Sequence, residues 1–488
     1  MPSPIHRMNR RTRIVATVGP ACASAEHLAA LIEAGVDVFR LNFSHGTLEE
    51  KKRWIATIRE IAAQQARPLA ILADLQGPKI RTGQMRDGGV MLAAGQAISL
   101  TTQPLIGNEQ RIPVTYQHLP HDVHPGDRVL IDDGRYELTV RKVAGDTVLC
   151  EVVTGGLIRS SKGLNLPGVR VSAPSLTDRD RADLDFCIGQ EVDFVALSFV
   201  RSPADIEEIK QILYRAGSTI HVIAKIERPE GVDHFDAILA VADGIMVARG
   251  DLGVEMSPEK VPLIQKSIIR KCNQAGKPVI TATQMLESML TAPRPTRAET
   301  SDVANAILDG SDAVMLSGET AMGAHPLAAV QTMVRVAQDV EGIPPCHANE
   351  AGMLPLTDHR RLPEVISQMA CRVAENLQVA AILAFTQTGR TAAHVAKYRP
   401  SVPIVAVTPS PVVQRKLALY RGVFPFLVEI AGNTETQIDT LERAILDAGL
   451  LQKGDLAVVT MGSPVATPGT TNLLKVHRLG TGGFYEVY

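Results

Sequence analysis

The stretch Val222-Ile223-Ala224-Lys225-Ile226-Glu227 is an apolar, β-branched run that ends on a lysine and a glutamate two residues apart. Side chains alternate faces along a strand, so Lys225 and Glu227 project the same way. A cation and an anion side by side at a strand end suit a phosphate and the metal that neutralises it. Met246-Val247-Ala248-Arg249-Gly250-Asp251 repeats the device, with an arginine and an aspartate again two apart. On this reading Glu227 and Asp251 share one divalent cation, while Lys225 and Arg249 face an anionic substrate.

Working outward, apolar β-branched runs alternate with longer stretches of helical period, the signature of βα units and a parallel sheet. Strands are expected at Ile14-Val18, Val38-Phe43, Leu69-Leu75, Phe194-Phe199, Val222-Ile226, Gly244-Ala248, Pro278-Ala282 and Ala313-Leu316. Helices are expected between them, at Ala25-Ala34, Leu48-Gln65, Pro203-Ala216, Pro258-Ala275 and Ala298-Asp309. Ser24 and Ser202 stand where N-caps belong, and Gly35, Gly217 and Gly276 where helices end. Eight such units close most naturally into a (β/α)8 TIM barrel of the α/β class. The rhythm breaks between Gly77 and Pro174, where turn dipeptides such as Asp87-Gly88, Pro125-Gly126 and Asp133-Gly134 accumulate. That segment reads as an all-β domain inserted after the third strand, a lid over the C-terminal face where barrel enzymes keep their chemistry. A linker rich in Pro, Gly and His follows Glu341. A second α/β pattern then has strands at Ala380-Phe385, Pro403-Val407, Val423-Val428, Leu456-Thr460 and Leu473-Arg478. The expected division is barrel 1–76, lid 77–174, barrel 175–345 and a C-terminal α/β regulatory domain 346–488.

The chain of 488 residues carries a net charge of -2, with 45% hydrophobic, 21% charged and only 4% aromatic residues. This balance argues against a nucleic-acid or membrane-surface binder. Cysteines at 22, 150, 187, 272, 346 and 371 show no CxxC spacing, so neither a zinc site nor a disulfide framework is expected, and a cytoplasmic location is. No apolar run is long enough to span a membrane.

The ends of the strands carry the chemistry. Arg40, Asn42 and Ser44 share a face at strand two, and Asp74 closes strand three. Lys225 and Glu227, Arg249 and Asp251, Thr281 and Thr283, and Ser317 and Glu319 follow on the last four. A single solvated ion pair would be unremarked, but charge at five C-terminal strand ends is costly to desolvate unless it meets a ligand. Two carboxylates with few histidines favour a hard cation, Mg²⁺ or Mn²⁺, and point to phosphoryl transfer.

These residues resemble those of the pyruvate kinase family. The likeness rests on Arg40-Leu41-Asn42-Phe43-Ser44-His45-Gly46, Gly77-Pro78-Lys79-Ile80-Arg81 and Ser161-Lys162-Gly163-Leu164-Asn165-Leu166-Pro167-Gly168. It continues through Ala224 to Glu227, Met246 to Gly253, Ala282 to Met289, Arg294 to Glu299 and Leu316 to Thr320. It implies transfer of the phosphoryl group of phosphoenolpyruvate to ADP, giving ATP and pyruvate, by a homotetramer. Glu227 and Asp251 would hold the divalent metal, Lys225 would stabilise the phosphoryl group in transit, and Arg40 would grip the substrate phosphate. Ala248, Arg249, Gly250, Asp251 and Thr283 would line the substrate site, the backbone of Ala248 and Gly250 with the Thr283 hydroxyl seating its carboxylate. Asn42, Phe43, Ser44, His45, Arg81 and Lys162 would meet the nucleotide, Lys162 reaching from the lid. Thr283, Ser317 and Glu319 would form the proton route.

One departure from the family pattern carries an expectation. Many members have Asp-Thr-Lys-Gly-Pro-Glu at strand three, and that glutamate accompanies a requirement for K⁺. Here Asp74-Leu75-Gln76-Gly77-Pro78-Lys79 puts an ammonium where K⁺ would sit. Activity without added K⁺ is expected, and Asn42, Ser44, Asp74 and the Leu75 carbonyl, K⁺ ligands elsewhere in the family, are not expected to need one. In the C-terminal domain Thr386-Gln387-Thr388-Gly389-Arg390-Thr391 joins a strand to a helix and forms an anion pocket. By resemblance it would take a phosphorylated allosteric effector.

Two other readings stand beside this one. A metal-dependent barrel lyase would share Glu227 and Asp251 but need neither Lys162 nor Arg81. A non-catalytic phosphometabolite sensor would not need Lys225. His118, His121 and His124, in a proline-flanked loop, read as surface histidines.

Overall fold

A computed structural model of the chain describes residues 10–342, 362–429, 432–462 and 471–480. Eight parallel strands close a barrel: β1 (Arg13–Thr17), β2 (Val38–Asn42), β3 (Ala70–Asp74), β4 (Phe194–Leu197), β5 (His221–Ile226), β6 (Gly244–Ala248), β7 (Val279–Ala282) and β8 (Ala313–Leu316). All eight fall on the expected runs. Alternation sorts each strand into two cores. Val15, Val38, Leu72, Phe194, Ile223, Met246, Ile280 and Met315 fill the inside of the barrel. Ile14, Phe39, Ile71, Val195, Val222, Val247 and Val314 pack outward beneath the helices.

The helices start and stop on the signals in the sequence. Ser24 caps Ala25–Ala34 by accepting from the His27 backbone N–H, and Thr47 and Glu50 form a capping box on Leu48–Gln64. The helix Val261–Ala275 ends on Gly276 in the left-handed conformation at φ 68°.

The lid lies between β3 and β4. Its six-stranded sheet runs in the order 164–165, 128–131, 136–144, 147–154, 97–101, 111–113, beside a two-stranded ribbon of 89–92 and 156–159. It has its own core, centred on Leu100, Val129, Ile131, Leu138, Val140 and Val148. Two strand-like segments join it to the barrel: Arg81 pairs antiparallel with Gly163, the Leu164 N–H donates to the Ile80 carbonyl, and the Thr82 N–H donates to the Lys162 carbonyl.

The C-terminal domain is a five-stranded sheet in the order 423–427, 404–408, 381–385, 456–461, 473–478, with only the last strand antiparallel. It docks on the N-terminal ends of the barrel strands. Arg13 Nε donates to the Tyr420 carbonyl at 2.9 Å, Arg415 Nε to Asp193 at 2.8 Å, and Arg399 Nη2 to Asn273 at 2.7 Å. Residues 343–361, where the linker and the 345/346 boundary are expected, lie outside the described residues.

Candidate active site

The C-terminal rim of the barrel gathers the inward residues of β2 to β5. Lys225 is 9% exposed, and its ammonium is held by Ser198 Oγ at 2.7 Å, Asp74 Oδ1 at 3.0 Å and Glu227 Oε1 at 3.0 Å. Asp74 gives its other oxygen to Arg40 Nε at 2.7 Å, and Arg40 Nη1 donates to Thr17 Oγ1 at 3.0 Å. Strand register makes this possible, since Asn42 and Ala196 both lie opposite Asp74 in the neighbouring strands. Burial works against the charge on Lys225, but Asp74 and Glu227 outweigh it and hold the ammonium protonated above the ordinary lysine range. Burial likewise disfavours ionised Asp74, yet Lys225 and Arg40 hold its carboxyl below the ordinary range.

Glu227 is the exception. Burial raises its affinity for a proton, Lys225 opposes that, and Asp251 and Asp74 reinforce it. Its Oε2 accepts from the Phe199 N–H at 2.8 Å, which Phe199 can offer only by turning to φ 56°. A buried carboxylate beside another carboxylate wants positive charge. Asp251 takes part of its own from Lys79, whose Nζ lies 3.4 Å from Asp251 Oδ1. Two oxygen ligands short of cation fit a hard divalent metal that completes its shell with water and substrate oxygens. Glu227 and Asp251 would hold it.

Beside them Thr283 stands at φ 71° and Gln284 at φ 54°, a strained pair. The turn points the Thr283 hydroxyl at the Gly250 N–H, 2.7 Å away. Ser317 and Glu319 sit one strand over. Glu319 is wholly buried and accepts from the backbone N–H of Ser317 at 2.7 Å and of Leu286 at 3.0 Å. Past β2 His45 is surrounded by cations: burial, then Arg81, Lys79, Lys51 and Arg40, push its imidazole below the ordinary range. Asn42 Oδ1 accepts from the Ser44 N–H at 3.0 Å. Arg81 and Lys162 meet on the two connecting segments. Arg81 Nη1 donates to the Ser161 carbonyl at 3.2 Å, and Lys162 rests on Asp132 at 2.8 Å.

Several expected residues are placed otherwise. Arg249 does not face the pocket. A helix (Arg249–Glu255) begins at that residue, so Arg249 and Asp251 no longer share a face. Arg249 follows Val247 outward and is taken up by Asp302 at 2.7 Å and the Thr283 carbonyl at 2.8 Å, which makes it a brace for the strained turn. Thr281 points away from Thr283 and bonds Ser311 Oγ at 2.7 Å, because the left-handed Thr283 breaks the alternation. Phe43 is a core residue, 1% exposed and edge-on to Phe186, with its N–H and carbonyl both committed to Asp74 and Arg179. Lys79 lies against Asp251, so its charge is not seated among Asn42, Ser44 and Asp74, while the Leu75 carbonyl accepts from Ser198. Ser198, Phe199 and Thr17 were missed. Ser198 shares the inward face with Phe194 and Ala196, and that periodicity could have found it.

In the C-terminal domain the Thr386 N–H joins the Val407 carbonyl, Gly389 turns at φ 87°, and the helix Arg390–Lys397 follows. Thr391 Oγ1 lies 2.9 Å from Thr471 Oγ1, while Thr388 and Arg390 are exposed. His118 and His124 are exposed, and among the described residues no group of three His, Cys, Asp or Glu side chains could hold a metal.

Comparison with known proteins agrees over nearly the whole chain. Residues 9–330 match the family described as pyruvate kinase, barrel domain, and residues 364–477 the one described as pyruvate kinase, alpha/beta domain. A pyruvate kinase of Geobacillus stearothermophilus is 48% identical over 475 residues, 96% of this chain and 80% of that protein. One of Mycobacterium intracellulare is 46% identical over 97% of this chain and 99% of its own length. The crystal structure of a pyruvate kinase from Cryptosporidium parvum superposes with a TM-score of 0.90 at 42% identity, covering 97% of each chain.

Proposed function

This chain belongs to the pyruvate kinase family, and we propose that the rim residues divide its reaction among themselves as follows. The enzyme is a phosphotransferase that moves the phosphoryl group of phosphoenolpyruvate to ADP, with a divalent metal, and releases ATP and pyruvate. The metal, which we assign to Glu227 and Asp251 and to Mg²⁺ or Mn²⁺, supplies positive charge to the transferring phosphate.

Arg40 and Lys225 act from the barrel side. Arg40 is oriented by Asp74 and Thr17, so its remaining guanidinium N–H groups are pre-aimed at a phosphate. Lys225 spends all three of its donors on Asp74, Glu227 and Ser198. A phosphate oxygen replaces one of these acceptors as negative charge passes through the site, at little reorganisation cost because Asp74 and Ser198 keep the ammonium in place. The substrate carboxylate takes the Gly250 N–H and the Thr283 hydroxyl, which are paired with each other in this structure. From the lid side Arg81 and Lys162 receive the ADP phosphates with Asn42, Ser44 and His45. Thr283 and Ser317 are assigned to the proton route to the enol carbon. Glu319 orients Ser317 through its backbone.

The observation that carries this reading is the convergence of Lys225, Asp74, Glu227 and Arg40 in one buried cluster. Lys225→Met tests it: loss of a preorganised charge should lower kcat by about 10²- to 10³-fold, read on protein shown to be folded, because Asp74 and Glu227 lose their buried cation at a cost on the order of 3 kcal/mol of stability. A variant as active as the parent overturns it. A lyase would show no dependence on ADP, and a sensor no dependence on Lys225.

We also assign the loop 386–391 to a phosphorylated effector, by its hydroxyls, its glycine turn and the exposed Arg390. Thr386→Ala with Arg390→Ala should abolish activation by whichever sugar phosphate or nucleotide monophosphate activates the parent; unchanged activation refutes the site. We also propose a cytoplasmic homotetramer, for which light scattering should return four chains. Among the described residues no helix is long and apolar enough to cross a membrane.

A further inference from the structure

The helix Arg249–Glu255 opens with the pocket residues Gly250 and Asp251 and closes on Glu255, one turn further along. Glu255 is 5% exposed and turns away from the barrel to meet the lid. Its Oε1 accepts from Asn165 Nδ2 at 2.8 Å, and Asn165 is itself buried. Its Oε2 accepts no hydrogen bond among the described residues and stands 3.8 Å from Arg228 Nη2. Arg228 follows Glu227 directly and donates to the Val169 carbonyl of the same lid segment at 2.8 Å. Asn165, Arg228 and Glu255 line one cavity between lid and barrel, together with Lys79 and Arg201. On the lid side Asn165 is three residues from Lys162, and the segment between them is pinned to residues 80–82 by backbone hydrogen bonds. One side-chain bond therefore ties the helix that carries Asp251 to the lid segment that carries Lys162.

An amide and a carboxylate lose their water when they are buried against each other, and each is left unpaired if the other withdraws. The bond is complete only at one separation of lid and barrel. We propose that Asn165 and Glu255 form a latch that sets the lid at the height where Lys162 meets the nucleotide phosphates. Both are positioning residues: neither touches substrate, and both act through Lys162. The inference rests on the assignment of Lys162 to ADP made above.

Full-length, Mg²⁺-loaded enzyme tests it by steady-state kinetics with ADP and phosphoenolpyruvate varied separately. Loss of a buried charge-assisted hydrogen bond predicts that Asn165→Ala and Glu255→Ala each raise KM for ADP about tenfold and leave KM for phosphoenolpyruvate within about twofold. Glu255→Gln, whose side-chain carbonyl still accepts from Asn165, should restore most of the loss. Asn165→Ala should add nothing in a Lys162→Ala background, because the latch has then lost what it positions. A parental KM for ADP in Asn165→Ala, equal rises in both KM values, or the full Asn165→Ala factor on top of Lys162→Ala would overturn the latch. If Lys162→Ala leaves KM for ADP unchanged, the nucleotide assignment falls and the latch with it. If Lys162→Ala is defective and Asn165→Ala is silent, only the latch falls.

Discussion

At the scale of single residues the site is a balance of three cations, Arg40, Lys79 and Lys225, against three carboxylates, Asp74, Glu227 and Asp251. Lys79 supplies a fixed charge at Asp251 where a glutamate in related chains would add a negative one. The enzyme should therefore turn over at full rate in buffer free of K⁺, and Lys79→Glu should make the rate depend on added K⁺. Parental activity that collapses without K⁺ contradicts this. Strand alternation put Lys225 with Glu227, and Arg40 with Asn42, on one face each, because those residues lie within or directly beyond regular strands. Carried past the strand ends, it paired Arg249 with Asp251 and Thr281 with Thr283, and the structure parts both pairs. Both errors arise where backbone geometry departs from the strand: a helix starts at Arg249, and Thr283 takes a left-handed conformation that no side-chain pattern announces. Ser198 and Phe199 were passed over because a serine and a phenylalanine carry no charge to draw the eye, though one holds Lys225 and the other Glu227.

At the scale of elements, the turns after the strands hold the site more than the strands do. Glu319 joins two of them by accepting the Leu286 and Ser317 N–H groups. Glu319→Ala leaves both donors buried without a partner and should cost on the order of 3 kcal/mol of stability, at 1–3 kcal/mol for each lost acceptor. Chemical denaturation measures this, and an unchanged midpoint would show that water or a neighbour satisfies those groups. Arg249 does a similar service from outside, clamping the 283–285 turn to Asp302. Elements of this kind were legible as motifs and not as geometry. The residues Ala282 to Met289 were recognisable, but the strain at Thr283 and Gln284 appears only when the turn has to bring a hydroxyl to the Gly250 N–H. The barrel strands and the helices expected between them were legible to within a turn, since apolar period and capping residues coincide at their ends.

At the scale of the whole molecule, the lid covers one end of the barrel and the C-terminal domain grips the other. Within one chain, an effector in the proposed 386–391 site would reach the barrel through its N-terminal rim, where Arg415 and Lys416 reach Asp193 and the Thr219 carbonyl. His221 lies in that interface, its ring 5.9 Å from Phe194. Burial and then Lys416 lower its pKa to about 4, with Lys210 adding to the effect and Asp243 and Asp193 opposing it. The unfolded chain protonates His221 near pH 6.5 and the folded chain only near 4, so its contribution to stability is complete above about pH 6.5 and is lost as pH falls towards 4. The amount is on the order of 3 kcal/mol. His221→Gln should flatten this part of the difference in unfolding free energy between pH 7 and pH 5, and an identical pH slope in parent and variant would contradict it. Domain order and the lid were legible because the helical period vanishes and returns. The docking of one domain on another was not, because contacts such as Arg415 to Asp193 join residues far apart in sequence and follow no local pattern. The central claim is that Glu227 and Asp251 share one cation within reach of Lys225. A crystal structure of the enzyme with Mn²⁺ and phosphoenolpyruvate, read by the metal's anomalous signal, tests it most directly. It should show one ion bonded to an oxygen of each carboxylate at about 2.0–2.2 Å, with the Lys225 ammonium on the same phosphate. An ion bound away from either carboxylate, or a phosphate that Lys225 does not touch, would contradict it.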